Sequence, residues 1–206
     1  MIYRCLEVAL KIGVKRFILM SANGVRLDGT TYQRTKWQAD EVLKKSGLNW
    51  TIFRPSLIFG DPDREGRPEF CTQIRDDMLS LSFNAGSFSM SPIHVKNVAE
   101  FFVKSIKSKV WEKNIFDLGG PEALTWKEII HQIALASGKR TWKIPAPVVV
   151  IKIAALILDR FKWLPVTRDQ LTMLMEGNTV STNYFDDFSI NPIKFSMENL
   201  EYLKEV

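Results

Sequence analysis

Two short apolar runs, Phe17-Ile18-Leu19-Met20 and Trp50-Thr51-Ile52-Phe53, flank an amphipathic segment that opens with Tyr32-Gln33-Arg34-Thr35-Lys36. The first run ends in Ser21 and the second in Arg54-Pro55-Ser56, followed by Phe59-Gly60. Runs this short, rich in aromatic and β-branched residues and spaced by one helical stretch, predict two parallel strands joined by a crossover helix. Such a unit delivers the carboxyl ends of its strands to one edge of the sheet, where ligands of open α/β sheets bind. Ser21 then falls at the same edge as the start of the helix. Residues four apart share a helix face, so Tyr32 and Lys36 project together into one cleft.

The rest of the chain extends this pattern. Residues 2–12 predict a helix closed by Gly13 as its C′ residue. Residues 17–21 read as a buried parallel strand, apolar on both faces. After a Gly/Asp-rich loop, residues 31–46 form the Tyr-Lys helix, with Trp37, Val42 and Leu43 among its buried positions. A polar loop over 61–68 leads to a helix near 69–79, and 87–92 predicts a short strand. Ile93-His94-Val95-Lys96-Asn97-Val98-Ala99 opens a helix to about 106, with Asn97 read as its cap. Residues 115–118 look like the last sheet strand, ending at Gly119-Gly120-Pro121. Thr125 caps a further helix, with Glu128 completing a capping box. The remainder, from 144 to 206, is punctuated by proline and mostly helical in pattern.

Composition bounds the function. A chain of 206 residues buries one sizeable core and a small second lobe. Its hydrophobic share of 46% and charged share of 25% are ordinary for a globular domain. The net charge of +5 is spread among acidic residues and contains no basic run. It suits an anionic ligand such as a dinucleotide and argues against nucleic acid. Cys5 and Cys71 lie too far apart in sequence for a metal motif or a disulfide framework, and His94 and His131 have no ligand partners at metal spacing. No metal is expected, and a reducing cytoplasm is the expected compartment.

Residues 1–10 carry Arg4 and Glu7 and read as an amphipathic helix rather than a signal peptide. The most apolar stretch, 148–158, is interrupted by Lys152 and is about half the length of a membrane span. It reads as a buried helix of the second lobe. The alternatives are an interfacial helix, with Lys152, Arg160 and Lys162 near headgroups, or a wall for a lipophilic substrate.

A serine at one strand end, Tyr-x-x-x-Lys on the next helix and Arg-Pro-x-x-x-x-Gly at the next strand end resemble the short-chain dehydrogenase/reductase superfamily. The phrases Phe53-Arg54-Pro55-Ser56-Leu57-Ile58-Phe59-Gly60-Asp61, Leu118-Gly119-Gly120-Pro121-Glu122 and Pro165-Val166-Thr167-Arg168-Asp169-Gln170-Leu171 narrow it. They are similar to the atypical group named for the Rossmann-type accessory subunit of mitochondrial complex I. The resemblance implies an α/β fold: the C-terminal part of a Rossmann-like doubly wound parallel sheet with a mostly helical substrate lobe. Residues 1–85 and 93–120 would form the dinucleotide-binding part, and 86–92 with 121–206 the substrate lobe.

It further implies NAD or NADP as cofactor. Tyr32 would exchange a proton with a substrate oxygen, and Ser21 would hydrogen-bond that oxygen. Lys36 would hold the nicotinamide ribose and lower the phenol's pKa. Ser21, Tyr32, Lys36, Arg54, Pro55 and Ser56 would line the nicotinamide end. One departure is large. The glycines of this chain nowhere form the Gly-x-x-Gly-x-x-Gly that cradles pyrophosphate at a helix N-terminus. Against the family pattern, Met1 stands where the helix before the fifth strand belongs, with about four strands still to precede it.

Two functions follow as expectations. One is an NAD(P)-dependent oxidoreductase or an enzyme of epimerase/dehydratase type acting on a small-molecule substrate, a lipophilic one being among the alternatives. The other is a non-catalytic nucleotide-binding scaffold or assembly factor linked to complex I or quinone metabolism, with peripheral membrane contact as an option. Cofactor binding by a chain without the glycine-rich loop is expected to be weak, and an uncovered strand edge is expected to lead to aggregation, a homodimer through that edge, or reliance on a partner.

Overall fold

The computed structural model describes residues 2–61, 69–78, 88–139, 172–173 and 175–204. The segments 62–68, 79–87 and 140–171 lie outside them, and with them the helix expected at 148–158, the 165–171 phrase, the end of the helix expected near 69–79 and the start of the strand expected at 87–92.

Helix α1 (Ile2–Lys11) packs Leu6 and Ala9 inward and stops where Gly13 turns with φ +73°. This left-handed geometry is the one expected of a C′ glycine. Strand β1 (Arg16–Met20), helix α2 (Thr31–Lys44) and strand β2 (Asn49–Pro55) follow, and β6 (Asn114–Leu118) completes a parallel sheet of order β1-β2-β6. Phe17 faces Trp50 and Met20 faces Phe53 across the first pair, while Arg54 faces Asp117 across the second. Between β2 and β6 lie the two-stranded parallel pair β3 (Ile58–Phe59) and β5 (Ile93–His94), helix α3 (Phe70–Gln73) with a π turn (Ile74–Met78), strand β4 (Ser89–Met90), and helix α4 (Val95–Lys107). Strand β7 (Leu124–Thr125) pairs antiparallel with β4 and leads into α5 (Trp126–Ser137).

Alternation along β2 sends Ile52 to one face and Phe53 to the other, and both are fully buried. Ile52 joins Leu6, Ala9, Leu43 and Leu48 beneath α1 and α2. Phe53 joins Phe101, Phe116, Phe185 and Phe188 beneath α4. A separate cluster (Phe59, Cys71, Ile74, Trp126, Ile129, Ile133, Leu200 and Leu203) gathers around α5 and a closing 3-10 turn (Glu198–Leu203).

Two expectations are corrected. Strand β1 is not buried on both faces: its residues are half-buried and Met20 is 46% exposed. The cause is topological, since β1 is the edge of the sheet among the described residues and only β2 flanks it. Asn97 is not the cap of α4. His94 takes that place, its Nδ1 accepting from the Lys96 N–H. Asn97 instead sits buried inside the first turn, donating to Asn191 O and Glu100 and accepting from Ile193 N–H. An amide both donates and accepts, so it ties the 190s segment to α4 in a way a carboxylate does not. The Thr125–Glu128 capping box forms as expected.

The turns at the carboxyl edge are packed closely. A side chain at Gly120 would bring its Cβ within 1.8 Å of Pro92 O, so only glycine allows the chain leaving β6 to pass the Pro92 backbone between β4 and β5.

Candidate active site

The β1–β2 ladder continues beyond the strands. Ser21 N donates to Phe53 O at 2.7 Å and Asn23 N to Pro55 O at 3.0 Å. The loop after β1 is therefore held at the carboxyl edge of the sheet. Ser21 is 4% exposed, and its Oγ has no hydrogen-bond partner among the described residues. A buried hydroxyl left unmatched is costly; Arg16 Nε, Asp40 Oδ1 and Asn178 Oδ1 share this condition among the described residues.

Helix α2 begins with a reciprocal cap. Thr30 Oγ1 accepts from Gln33 N–H, and Gln33 Oε1 accepts from Thr30 N–H at 2.8 Å. This places Tyr32 in the first turn, 46% exposed. One turn on, Lys36 Nζ lies 5.7 Å from the centre of the Tyr32 ring and donates to Met20 O at 3.3 Å. Tyr32 and Lys36 thus meet as their spacing predicts, but the ammonium lies over the ring and bonds a carbonyl at the end of β1. Partial burial pushes the Tyr32 phenol above its ordinary value. The expected lowering by Lys36 is absent from this arrangement, because its charge is spent over the ring and on Met20 O.

A further turn along α2, Asp40 is fully buried under the sheet face. Arg54 Nε and Nη2 lie 2.9 and 2.8 Å from Asp40 Oδ2. The guanidinium is therefore committed beneath α2 rather than presented at the cleft. Burial raises the carboxyl of the facing Asp117, Arg54 opposes that rise, and Asp40 adds to it. Pro55 is buried and its carbonyl holds Asn23. Ser56 is also buried; its N–H donates to Leu118 O at 2.8 Å and its Oγ to Asn178 O at 2.6 Å. Of the six residues marked by sequence, Ser21, Tyr32 and Lys36 keep chemistry to offer, whereas Arg54, Pro55 and Ser56 hold the site together.

Residues unmarked by sequence line a cleft beside the start of α2; Ser21, Tyr32 and Lys36 are not in its lining. Glu176 accepts from both Nη atoms of Arg26 and from Gln33 Nε2, the latter at 3.0 Å. Gln33 Nε2 also donates to Gly24 O at 3.1 Å. This clasp joins the loop after β1, the start of α2 and the segment around 176. The Arg26 guanidinium holds the Glu176 carboxyl below its usual range, with Gln33 assisting. Between these parts lies a cleft of about 490 Å³, lined by Asn23, Gly24, Phe88, Met173 and Asn178 beside the clasp. The Thr30-x-x-Gln33 cap was a readable signal. Nothing local marked Glu176 or Asn178.

Among the described residues no group of three His, Cys, Asp or Glu side chains is placed to hold a metal ion. Nor is any described helix long and apolar enough to cross a membrane. The reactive end of a nicotinamide cofactor fits the residues present. Ser21 Oγ has no partner among the described residues, and an ammonium carries three protons, of which Lys36 directs one to Met20 O.

A family model described as NAD(P)H-binding matches residues 1–109. The mitochondrial NADH-ubiquinone oxidoreductase 40 kDa subunit of Neurospora crassa is 24% identical over 209 residues, covering 98% of this chain and 53% of that protein. UDP-glucose 4-epimerase of Vibrio cholerae is 23% identical over 163 residues, covering 68% of this chain and 49% of that protein. The chain spans about half the length of these curated relatives. Among solved structures, UDP-glucose 4-epimerase of Thermotoga maritima superposes with a TM-score of 0.67 at 15% identity, over 98% of this chain and 66% of that one. That likeness establishes the Rossmann-like parallel α/β fold. With the family match spanning more than half its length, the chain belongs to the NAD(P)H-binding family, within the atypical short-chain dehydrogenase/reductase superfamily.

Proposed function

We propose that this chain forms the nicotinamide end and substrate cleft of an NAD(P)-dependent oxidoreductase or epimerase. The observation that carries the reading is the buried hydroxyl of Ser21, without a partner among the described residues, at the sheet edge where α2 begins with Tyr32 and Lys36. When bound, the nicotinamide supplies hydride transfer to or from a carbon of the substrate. Ser21 Oγ donates to the reacting oxygen, and Tyr32 exchanges the proton on it. Lys36 serves both the ribose and the phenol, and for this its ammonium moves from the ring face toward the hydroxyl. The Asp40–Arg54 pair holds α2 against β2, which sets where Tyr32 and Lys36 stand. A substrate panel containing sugar nucleotides and quinones, assayed with NADH and NADPH, tests the reading through Tyr32→Phe.

A second reading, a non-catalytic nucleotide-binding scaffold, is favoured by one observation: the phenol is raised and the lysine engaged elsewhere. The similarity to a subunit of NADH-ubiquinone oxidoreductase agrees with it. Under that reading Tyr32→Phe is silent in every assay, and bound nucleotide raises thermal stability without turnover.

A further inference from the structure

The three strands of the parallel sheet start along one edge, where Arg16 stands beside Asn49 and Thr51 beside Asn114. The turns entering them follow the carboxyl ends of α1 and α2 and, for β6, the end of α4 and a 3-10 turn (Lys109–Trp111). The first and last of these turns are tied together. Arg16 Nη1 donates to Ser108 O at 2.5 Å and Nη2 to Thr51 Oγ1 at 3.2 Å, while Thr51 Oγ1 donates to Trp111 O at 2.8 Å. No run of sequence marks this edge, because Arg16 meets Ser108 across 92 positions.

It is basic. Lys11, Lys15, Lys45, Lys107, Lys109 and Lys113 are exposed there, and none has an ion pair among the described residues. The acidic side chains nearby are fewer. Glu41 is held by Lys44, Glu112 lies half-buried in the last turn, and Asp186 and Asp187 precede Phe188, which stacks on Trp111.

Lysines at helix carboxyl ends have an ordinary cause, since they complement the helix dipole. That cause does not extend to aliphatic side chains. Yet Ile12 after α1, Ile106 in the last turn of α4 and Val110 in the 3-10 turn are each at least 66% exposed. One exposed aliphatic residue needs no explanation. Three of them among unpaired lysines, in turns that Arg16 joins, make a surface both cationic and apolar. Nucleic acid would engage only the lysines. A bilayer of anionic lipid engages both kinds, its headgroups drawing in the cations and its acyl boundary accepting the aliphatic tips. We propose that the amino edge of the sheet docks on an anionic lipid bilayer, with Ile12 and Val110 entering the headgroup region among the lysines. Docked in this way, the opposite edge, with Ser21 and the start of α2, faces away from the lipid. The assignment needs neither the proposed chemistry nor residues 148–162.

The test sediments the full 206-residue chain with vesicles of phosphatidylcholine alone or containing about one-third phosphatidylglycerol. Binding to the anionic vesicles only, lost at high salt, is expected. Lys15→Gln, Lys109→Gln and Lys113→Gln together are expected to weaken it about a hundredfold, each lysine near a charged surface counting for about fivefold. Ile12→Ser with Val110→Ser is expected to weaken it about tenfold. Lys96→Gln with Lys127→Gln, which removes exposed lysines at the starts of α4 and α5 instead, is expected to bind as the wild type does. Circular dichroism checks that each variant is folded. Equal binding to both kinds of vesicle, binding to neither, or anionic binding unchanged in the folded lysine variant or the folded aliphatic variant overturns the proposal. Duplex DNA that binds more tightly than the anionic vesicles at the same salt assigns the face to nucleic acid and overturns it as well.

Discussion

Arg54 reaches the fully buried Oδ2 of Asp40 with two nitrogens, Nε at 2.9 Å and Nη2 at 2.8 Å, and so bolts α2 to β2. Asp40 stands two turns beyond Tyr32 and one beyond Lys36, so the bolt and the reactive pair share one stripe of the helix. Removing one partner of such a pair strands a charge in the interior. Asp40→Ala is expected to lower unfolding free energy by about 3–5 kcal/mol, measured by urea denaturation. Pairing it with Arg54→Met is expected to recover most of that loss, since the uncompensated cation goes too. Two losses that simply add would show that the two side chains do not depend on each other.

Catalysis turns on Tyr32. Tyr32→Phe removes one oxygen and is expected to cut turnover by about two orders of magnitude or more, the scale of a positioned acid/base. Lys36→Ala is expected to lower turnover and also weaken cofactor binding, and Ser21→Ala to cost less, on the order of one hydrogen bond to the reacting oxygen. Steady-state kinetics on any active substrate checks all three. Wild-type turnover by Tyr32→Phe would overturn the assignment of Tyr32 as the acid/base.

Dinucleotide affinity depends on the pyrophosphate cradle, which the glycine-rich turn supplies. The 206-residue sequence holds no Gly-x-x-Gly-x-x-Gly. Calorimetric titration is accordingly expected to find NADH binding weaker than micromolar. A micromolar dissociation constant would place the pyrophosphate on residues other than those described at the strand ends.

The Arg26–Glu176–Gln33 clasp carries a pH signature. Arg26, then Gln33, depress the Glu176 carboxyl below its ordinary 4.5. A group with a depressed folded pKa stabilises the protein above its unfolded value, and that contribution disappears as pH falls through the folded value. The melting temperature of the wild type is therefore expected to drop on acidification below about pH 4.5 by more than that of Glu176→Gln, with the two curves parallel near neutrality. Both side chains are partly exposed, so the difference is small and shrinks in high salt. Identical acid profiles would show that the clasp contributes nothing to stability.

What the sequence determined by itself is local. Short β-rich runs, a helical stripe and strand-end polar residues located β1, α2, β2 and β6. The four-residue spacing brought Tyr32 to Lys36, and Thr125 with Glu128 announced the start of α5. Each of these depends on backbone geometry over a few residues, which composition and periodicity encode directly. Tertiary structure decided the rest. Arg54 looked available to a cofactor until Asp40 claimed it, and Asn97 looked like a cap until the 190s chain passed beside it. Gln33 meets Glu176 across 143 positions, and Ser56 meets Asn178 across 122. No periodicity spans such separations. Which side chains end beside one another, which are buried by a neighbouring layer and which polar atoms are left unmatched are properties of packing, and they exist only once the layers have closed.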